Sequence, residues 1–163
     1  MKNVTFTKRL KQIVDNKRIA VVGMGNVDRA DDGFGIKVAE SLKLEFPDRI
    51  FIEDEGMEGI LNTINERKDI DFVVFVDTVD ANEKNGTLLI IEKENIEDIK
   101  YSHKIPLKLY LSLVDKPSCI IGIQPEQLNF MQPVSEEVVD GIRKTIKMLK
   151  SVMKDNVGSE EKD

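Results

Sequence analysis

The sequence has one cysteine and one histidine among its 163 residues, and it has no tryptophan. A single cysteine cannot form an internal disulfide, and Cys119 lies in the apolar run of residues 119–121, which favours a small core residue over a nucleophile. His103 is the only histidine for a serine triad, and the adjacent Ser102 is badly placed to form the required hydrogen bond. Disulfides and a serine triad are therefore not expected.

Long apolar runs and an excess of positive charge are also missing. No segment approaches the roughly 18 apolar residues of a membrane span, and the first residues show no apolar signal core. The formal net charge is -6 at pH 7, and lysine and arginine do not gather into a basic block. We therefore expect a cytoplasmic protein that binds neither nucleic acid nor a membrane. We also expect it to be a monomer.

Short runs rich in β-branched residues alternate along the chain with stretches of helical spacing. Strands are predicted at residues 18–23, 50–52, 72–76, 87–92 and 118–123, and helices at residues 3–16, 34–46, 58–68, 105–113 and after Ser135. This order predicts an α/β fold with three α/β/α layers, in which a mostly parallel central sheet carries helices on both faces, as in flavodoxin-like and phosphorylase-like proteins.

The chain shows no internal repeat and no linker rich in proline, glycine or serine. We therefore expect a single domain at residues 1–153, of which residues 1–17 form an N-terminal extension ahead of the first strand. The last ten residues, 154–163, are mostly charged or polar, which is typical of a disordered acidic tail.

Candidate functional residues follow the predicted strands, because ligands of parallel sheets bind beyond the carboxyl ends of the strands. Asp31 and Asp32 close the loop after the first strand, Asp77 follows the strand of residues 72–76, and His103 precedes a predicted helix. Two carboxylates and an imidazole form a plausible ligand set for a divalent cation and leave positions open for water or substrate. We therefore predict a metal site formed by Asp32, Asp77 and His103.

The same residues have simpler explanations. Asp31 could cap the helix that starts near Gly33, and Asp77 could accept backbone hydrogen bonds at a strand end. Residues 23–25 (Gly-Met-Gly) invite a dinucleotide-binding interpretation, but the full fingerprint needs a third glycine at the position of Asp28. The acidic loop would also repel a pyrophosphate, so a cation is favoured.

Four separated motifs carry a family resemblance. Residues 23–26 (Gly-Met-Gly-Asn) and residues 31–35 (Asp-Asp-Gly-Phe-Gly) resemble the signature loop of the nickel-iron hydrogenase maturation endopeptidases. The family's other motifs are similar, in the same order, to residues 75–80, 102–107 and 122–126. The resemblance spans about residues 18–150. Two departures are the polar pair at residues 28–29, where an apolar residue is common, and the extension before the first strand.

The resemblance implies an endopeptidase that removes the C-terminal extension of a hydrogenase large-subunit precursor after nickel insertion. The family's metal-contacting positions correspond to Asp32, Asp77 and His103 in this sequence. The resemblance therefore implies that these residues recognise nickel carried by the substrate. Another divalent cation could bind the isolated protein. Hydrolysis could use a metal-activated water or a general base, either Asp31 or Asp32. The alternative is a non-catalytic metal-binding or ligand-binding module on the same fold.

Overall fold

The computed structural model describes residues 2–98 and 104–160, with the side chains of residues 5–96 and 107–156. Three short 3-10 turns, Ala30–Gly33, Glu53–Glu55 and Lys93–Asp98, connect the longer elements. Those elements are, in order, α1 (Lys2–Val14), β1 (Ile19–Gly23), α2 (Phe34–Lys43), β2 (Ile50–Ile52), α3 (Met57–Glu66), β3 (Phe72–Thr78), β4 (Leu88–Glu92), α4 (Lys104–Leu113), β5 (Ser118–Ile123) and α5 (Glu136–Glu160).

The five strands form one sheet in the order β2-β1-β3-β5-β4. The first four strands of that order are parallel, whereas β4 runs antiparallel to β5 at the edge. The parallel strands therefore end together at one carboxyl edge, where Gly23 of β1 is in register with Val76 of β3. The predicted α/β class with a mostly parallel sheet is confirmed.

Helices cover both faces of the sheet. Ile19 and Val21 of β1 pack with α1, α2 and α5 on one face, whereas Ala20 and Val22 pack with α3 and α4 on the other. Burial on both faces explains why the central strands read as continuous apolar runs rather than as alternating ones. Leu10 is completely buried, so α1 belongs to the core of the domain.

Several predicted boundaries are wrong by a few residues, and two of these errors concern the candidate site and the C-terminus. β3 continues to Thr78, so Asp77 lies inside the strand, where it is in register with Gly122 of β5. α5 continues to Glu160, and the side-chain amide of Asn156 donates hydrogen bonds to the carbonyls of Val14 and Lys17. Residues 154–160 are therefore helical rather than a disordered tail, and residues 161–163 lie outside the described part. Among the described helices, none is long and apolar enough to cross a membrane.

An ion pair joins the starts of β1 and β3. The guanidinium of Arg18 donates to both carboxylate oxygens of Asp71, at 2.9 and 3.0 Å, and the Arg18 backbone N–H donates to the same group. These hydrogen bonds lower the pKa of Asp71 to about 2. Both side chains keep about a third of their surface exposed, so solvent screening limits the stabilisation to about 1 kcal/mol or less.

We expect Asp71→Asn to lower the free energy of unfolding by about 0.5–1 kcal/mol at pH 7. The folded-state pKa is depressed, so the carboxylate's contribution is fully present above about pH 4 and is lost as the pH falls towards 2. Urea unfolding of both proteins at pH 7 and pH 3 measures the difference. A difference that is the same at both pH values would contradict this assignment.

Candidate active site at the carboxyl edge of the sheet

The loop after β1 is held in one conformation by backbone hydrogen bonds. Asn26 donates to the carbonyl of Asp32 at 3.0 Å, and Asp32 donates to the carbonyl of Arg29 at 3.0 Å. Gly25 has a φ of 128°, and a Cβ at this position would collide with the Asp32 carbonyl. Glycine is therefore required where the chain leaves β1, because it allows the loop to fold back on itself and bring Asp32 to the sheet edge.

Asp32 and Asp77 are both buried and share one hydrogen-bonding neighbour. Asp32 is 6% exposed and Asp77 is 4% exposed. The hydroxyl of Thr78 donates to Oδ1 of Asp32 at 3.0 Å, while the Thr78 backbone N–H donates to Oδ1 of Asp77 at 2.8 Å. Asp77 at the end of β3 and Asp32 in the turn before α2 therefore both accept hydrogen bonds from Thr78, so one residue orients both predicted acids. The suggestion that Asp77 accepts a backbone hydrogen bond is also correct.

Thr78 is a site residue that the sequence did not single out. It is completely buried, and its hydroxyl reaches an acid that lies 46 positions earlier in the chain. The available signal was its position directly after Asp77 within the motif of residues 75–80. The local sequence does not distinguish Thr78 from any other buried threonine of a strand, so its hydrogen bond to Asp32 could not be predicted.

The third predicted ligand, His103, lies outside the described residues. The nearest described residue is Lys104, where α4 begins. The other end of α4 lies at the amino edge of the sheet, because its Leu113 carbonyl accepts from Asn65 near the end of α3. Within the described side chains, no group of three acidic, histidine or cysteine residues could hold a metal ion. The three-ligand site therefore stays a prediction.

Asp31 holds a distant part of the chain rather than its own helix. Its completely buried carboxylate accepts from the backbone N–H of Glu126 at 2.7 Å, of Gln127 at 3.3 Å and of Ser135 at 2.7 Å. The Ser135 hydroxyl donates to the same carboxylate at 2.9–3.0 Å. Gly33, the N-cap of α2, has no side-chain cap, so Asp31 does not cap α2 as suggested. Asp31 instead anchors the segment between β5 and α5.

Gln124 is a second residue whose role the sequence did not reveal. It directly follows β5, and its side-chain carbonyl accepts from the backbone N–H of Ala81 at 2.8 Å and of Glu83 at 3.2 Å. Its amide N–H donates to Asp80 at 3.1 Å. Gln124 is buried, so these bonds fix the loop that follows β3 against the end of β5. The loops at the carboxyl edge are therefore joined by buried polar side chains.

Cys119 is a core residue, as predicted. It lies in β5 and is completely buried, and this burial raises the pKa of its thiol to about 12. A thiol with so high a pKa supplies almost no thiolate at neutral pH and is a poor nucleophile. The candidate chemistry at this edge therefore rests on the carboxylates.

Comparison with protein families gives one match that spans most of the chain. The family model described as hydrogenase maturation protease, HycI, matches residues 36–152. The matched range includes Asp77 and the position of His103, and it begins after Asp32.

Individual relatives agree with the family match. A putative hydrogenase maturation protease of Methanocaldococcus jannaschii is 32% identical over 147 residues, which cover 82% of this chain and 94% of that protein. The hydrogenase 2 maturation protease of Escherichia coli is 26% identical over 153 residues, which cover 78% of this chain and 92% of that protein.

The fold also matches a solved structure. The [NiFe] hydrogenase maturation protease HycI from Thermococcus kodakarensis superimposes with a TM-score of 0.70 and 23% identity, covering 90% of this chain and 99% of that one. At that identity the likeness concerns the fold, whereas membership rests on the family model and on the archaeal relative. The chain therefore belongs to the hydrogenase maturation protease family and is a hydrolase of the endopeptidase type.

Proposed function

We propose that this protein removes the C-terminal extension of a nickel-iron hydrogenase large-subunit precursor after nickel has been inserted. In this proposal Asp32, Asp77 and His103 contact the nickel that the precursor carries. The observation that carries the proposal is the pairing of two buried carboxylates, Asp32 and Asp77, through Thr78 at the carboxyl edge of the sheet.

The chemistry of these groups suits a borderline divalent ion. Carboxylate and imidazole ligands both bind nickel, and three ligands leave coordination positions for groups of the precursor. Because the carboxylates are removed from bulk water, their attraction to a cation is less screened than at an exposed site. Another divalent cation could occupy the same groups in the isolated protein.

Recognition of the metal would control cleavage. A precursor that carries nickel gains binding energy from the three ligands, whereas an unloaded precursor does not. If that interaction aligns the scissile bond, the difference appears in the transition state as well as in binding. Cleavage then follows metal insertion, and we expect it to be carried out by a cytoplasmic monomer.

The two candidate general bases differ in their surroundings. Both oxygens of Asp31 already accept hydrogen bonds from the segment between β5 and α5, so this carboxylate is poorly placed to take a proton from water. Asp32 lies beside Thr78 and Asp77 at the proposed metal site. We therefore favour Asp32, or a water activated by the metal, for the hydrolytic step.

Single substitutions at the proposed ligands test this function. We expect Asp32→Asn, Asp77→Asn and His103→Gln to slow trimming of a nickel-loaded precursor by at least about 100-fold, since even residues behind metal ligands commonly contribute 10- to 100-fold. The matched control is Asp54→Asn, which changes an exposed acid in the turn after β2. Mass spectrometry of the precursor's C-terminus over time measures the reaction.

The outcome also separates the two functional hypotheses. Normal trimming by all three variants, or equal trimming of nickel-loaded and nickel-free precursor by the parent protein, would contradict the proposal. A parent protein that binds the precursor without shortening it would support the non-catalytic binding module instead.

A further inference from the structure

Three large apolar side chains project into solvent beside the loop that carries Asp32. Val27 is 47% exposed, Phe130 is 63% exposed and Met131 is 71% exposed. We call these three residues the apolar platform. Val27 belongs to the loop after β1, whereas the other two belong to the segment between β5 and α5. Isolated apolar residues are common on protein surfaces, but an apolar group beside a functional site is typical of an interaction surface.

The platform is attached firmly to the active-site loop. The backbone N–H of Met131 donates to the carbonyl of Asp28, next to Val27, at 2.7 Å. A Cβ at Gly33 would lie 3.3 Å from the Cα of Val27, so the loop is also closely packed against the start of α2. The carboxylate of Asp31 holds both ends of the segment that carries Phe130 and Met131. The platform therefore has a defined position relative to Asp32.

Packing of the hydrophobic core does not explain the backbone conformation at Met131. Met131 has a φ of 62°, in the left-handed region that residues with side chains seldom adopt. Its side chain is mostly exposed, so burial of that side chain does not compensate for the unfavourable conformation. Unfavourable backbone conformations of this kind cluster at binding sites.

We propose that the apolar platform binds an apolar segment of the hydrogenase large-subunit precursor and thereby sets which precursor is cut. This inference rests on the proposed function, because it assigns the surface that recognises the same substrate. The loop that carries Val27 also carries Asp32, and its Asp28 carbonyl binds Met131 of the second segment. A precursor bound at Asp32 therefore lies next to the platform, which favours the precursor as the occupant.

The charged groups around the platform indicate which kind of precursor segment can bind there. The exposed carboxylates of Asp28 and Glu126 lie on the two chain segments of the platform, and Glu136 follows at the start of α5. The exposed cations are Arg29, on the loop after β1, and Lys37, which packs at Gly33 next to Val27. Three carboxylates against two cations leave a slight excess of negative charge, which disfavours strongly acidic peptides, nucleic acid and anionic lipid. An apolar segment with neutral or basic flanks is complementary to it.

A double substitution, Phe130→Ser with Met131→Ser, tests the platform. Large apolar residues at an interface centre often contribute tenfold or more to affinity, so we expect the dissociation constant for nickel-free precursor to rise at least about tenfold. With nickel-loaded precursor, KM should rise more than kcat falls. Both side chains are exposed, so the unfolding midpoint should stay close to that of the parent protein.

The matched control is Leu109→Ser with Leu113→Ser, two residues of α4 that are 53% and 54% exposed. This control removes a similar apolar surface from another element and should leave affinity and trimming unchanged. Biolayer interferometry with nickel-free precursor measures binding without cleavage, since the proposed function predicts that this precursor is not cut.

The two proposals fail in different ways. Equal affinity of the platform variant and the parent protein would overturn the platform even if trimming depends on nickel. Nickel-independent trimming would overturn the proposed function. A tenfold loss of precursor affinity in the platform variant would still support the platform. No binding by the parent protein would also overturn the platform. The platform proposal would also be overturned if sedimentation showed that the parent protein is a dimer and that this dimer dissociates in the platform variant while the affinity for the precursor is unchanged.

Discussion

Asp31→Ala is expected to lower the free energy of unfolding by about 3 kcal/mol or more, because it leaves several hydrogen-bond donors without their acceptor. The wild-type carboxylate is completely buried and accepts from the backbone of Glu126, Gln127 and Ser135 and from the Ser135 hydroxyl. Chemical denaturation at neutral pH measures the loss. The matched control is Asp28→Ala, which removes an exposed acid of the same loop and should change stability by less than about 0.5 kcal/mol.

A second variant, Asp31→Asn, distinguishes two roles for Asp31. If Asp31 positions the segment between β5 and α5, then Asp31→Asn should also be destabilised, because its amide turns an N–H group towards donors such as the Glu126 and Ser135 backbone. If Asp31 is instead the general base, Asp31→Asn should keep the stability of the parent protein and lose trimming. A stable, inactive Asp31→Asn variant would therefore contradict the positioning role.

Gly35→Ala is expected to destabilise the fold by about 3 kcal/mol, at the upper end of the usual range for overpacking. Gly35 lies in the first turn of α2, where that helix crosses the carboxyl ends of β1 and β3. An added Cβ would collide with the backbone carbonyls of Met24 and Val76, and these cannot rotate away as a flexible side chain can. The helix would have to move away from the sheet and take Asp32 with it.

The control for Gly35→Ala is a glycine with free space around it. Gly59 lies inside α3, and a Cβ there meets no atom within 4 Å. Because alanine is the better helix former, Gly59→Ala should raise stability by about 0.5–1 kcal/mol. Thermal unfolding of both variants, together with precursor trimming, measures the contrast. Equal stability of the two variants would show that α2 does not depend on the close approach at Gly35.

Much of the fold was predictable because burial leaves a local pattern. The runs at β1 and β5 are mostly apolar rather than alternating, which is the pattern of strands covered on both faces, and the structure confirms both strands. The end of β3 was not predictable in this way. Asp77 is polar and interrupts the apolar run, yet pairing with β5 continues to Thr78 because the neighbouring strand supplies the hydrogen bonds.

The C-terminal helix shows the same kind of error, because it too was predicted too short. Residues 154–163 are mostly charged or polar, and that composition predicts disorder. The helix nevertheless continues to Glu160, since the apolar face of α5 with Leu149, Val152 and Met153 packs on the core and Asn156 reaches the end of α1. A contact between residues 142 positions apart cannot be read from local composition.

The sequence by itself determined the alternation of strands and helices, the positions of Asp31, Asp32 and Asp77 near the strand ends, and the motifs that resemble the maturation endopeptidases. Periodicity and strand-end position are local properties, so one chain is enough to reveal them. Only the tertiary structure decided what the adjacent acids Asp31 and Asp32 do. One anchors a segment about a hundred positions away, and the other meets Asp77 through Thr78 across the sheet, because hydrogen bonds depend on the folded path of the chain rather than on neighbouring sequence.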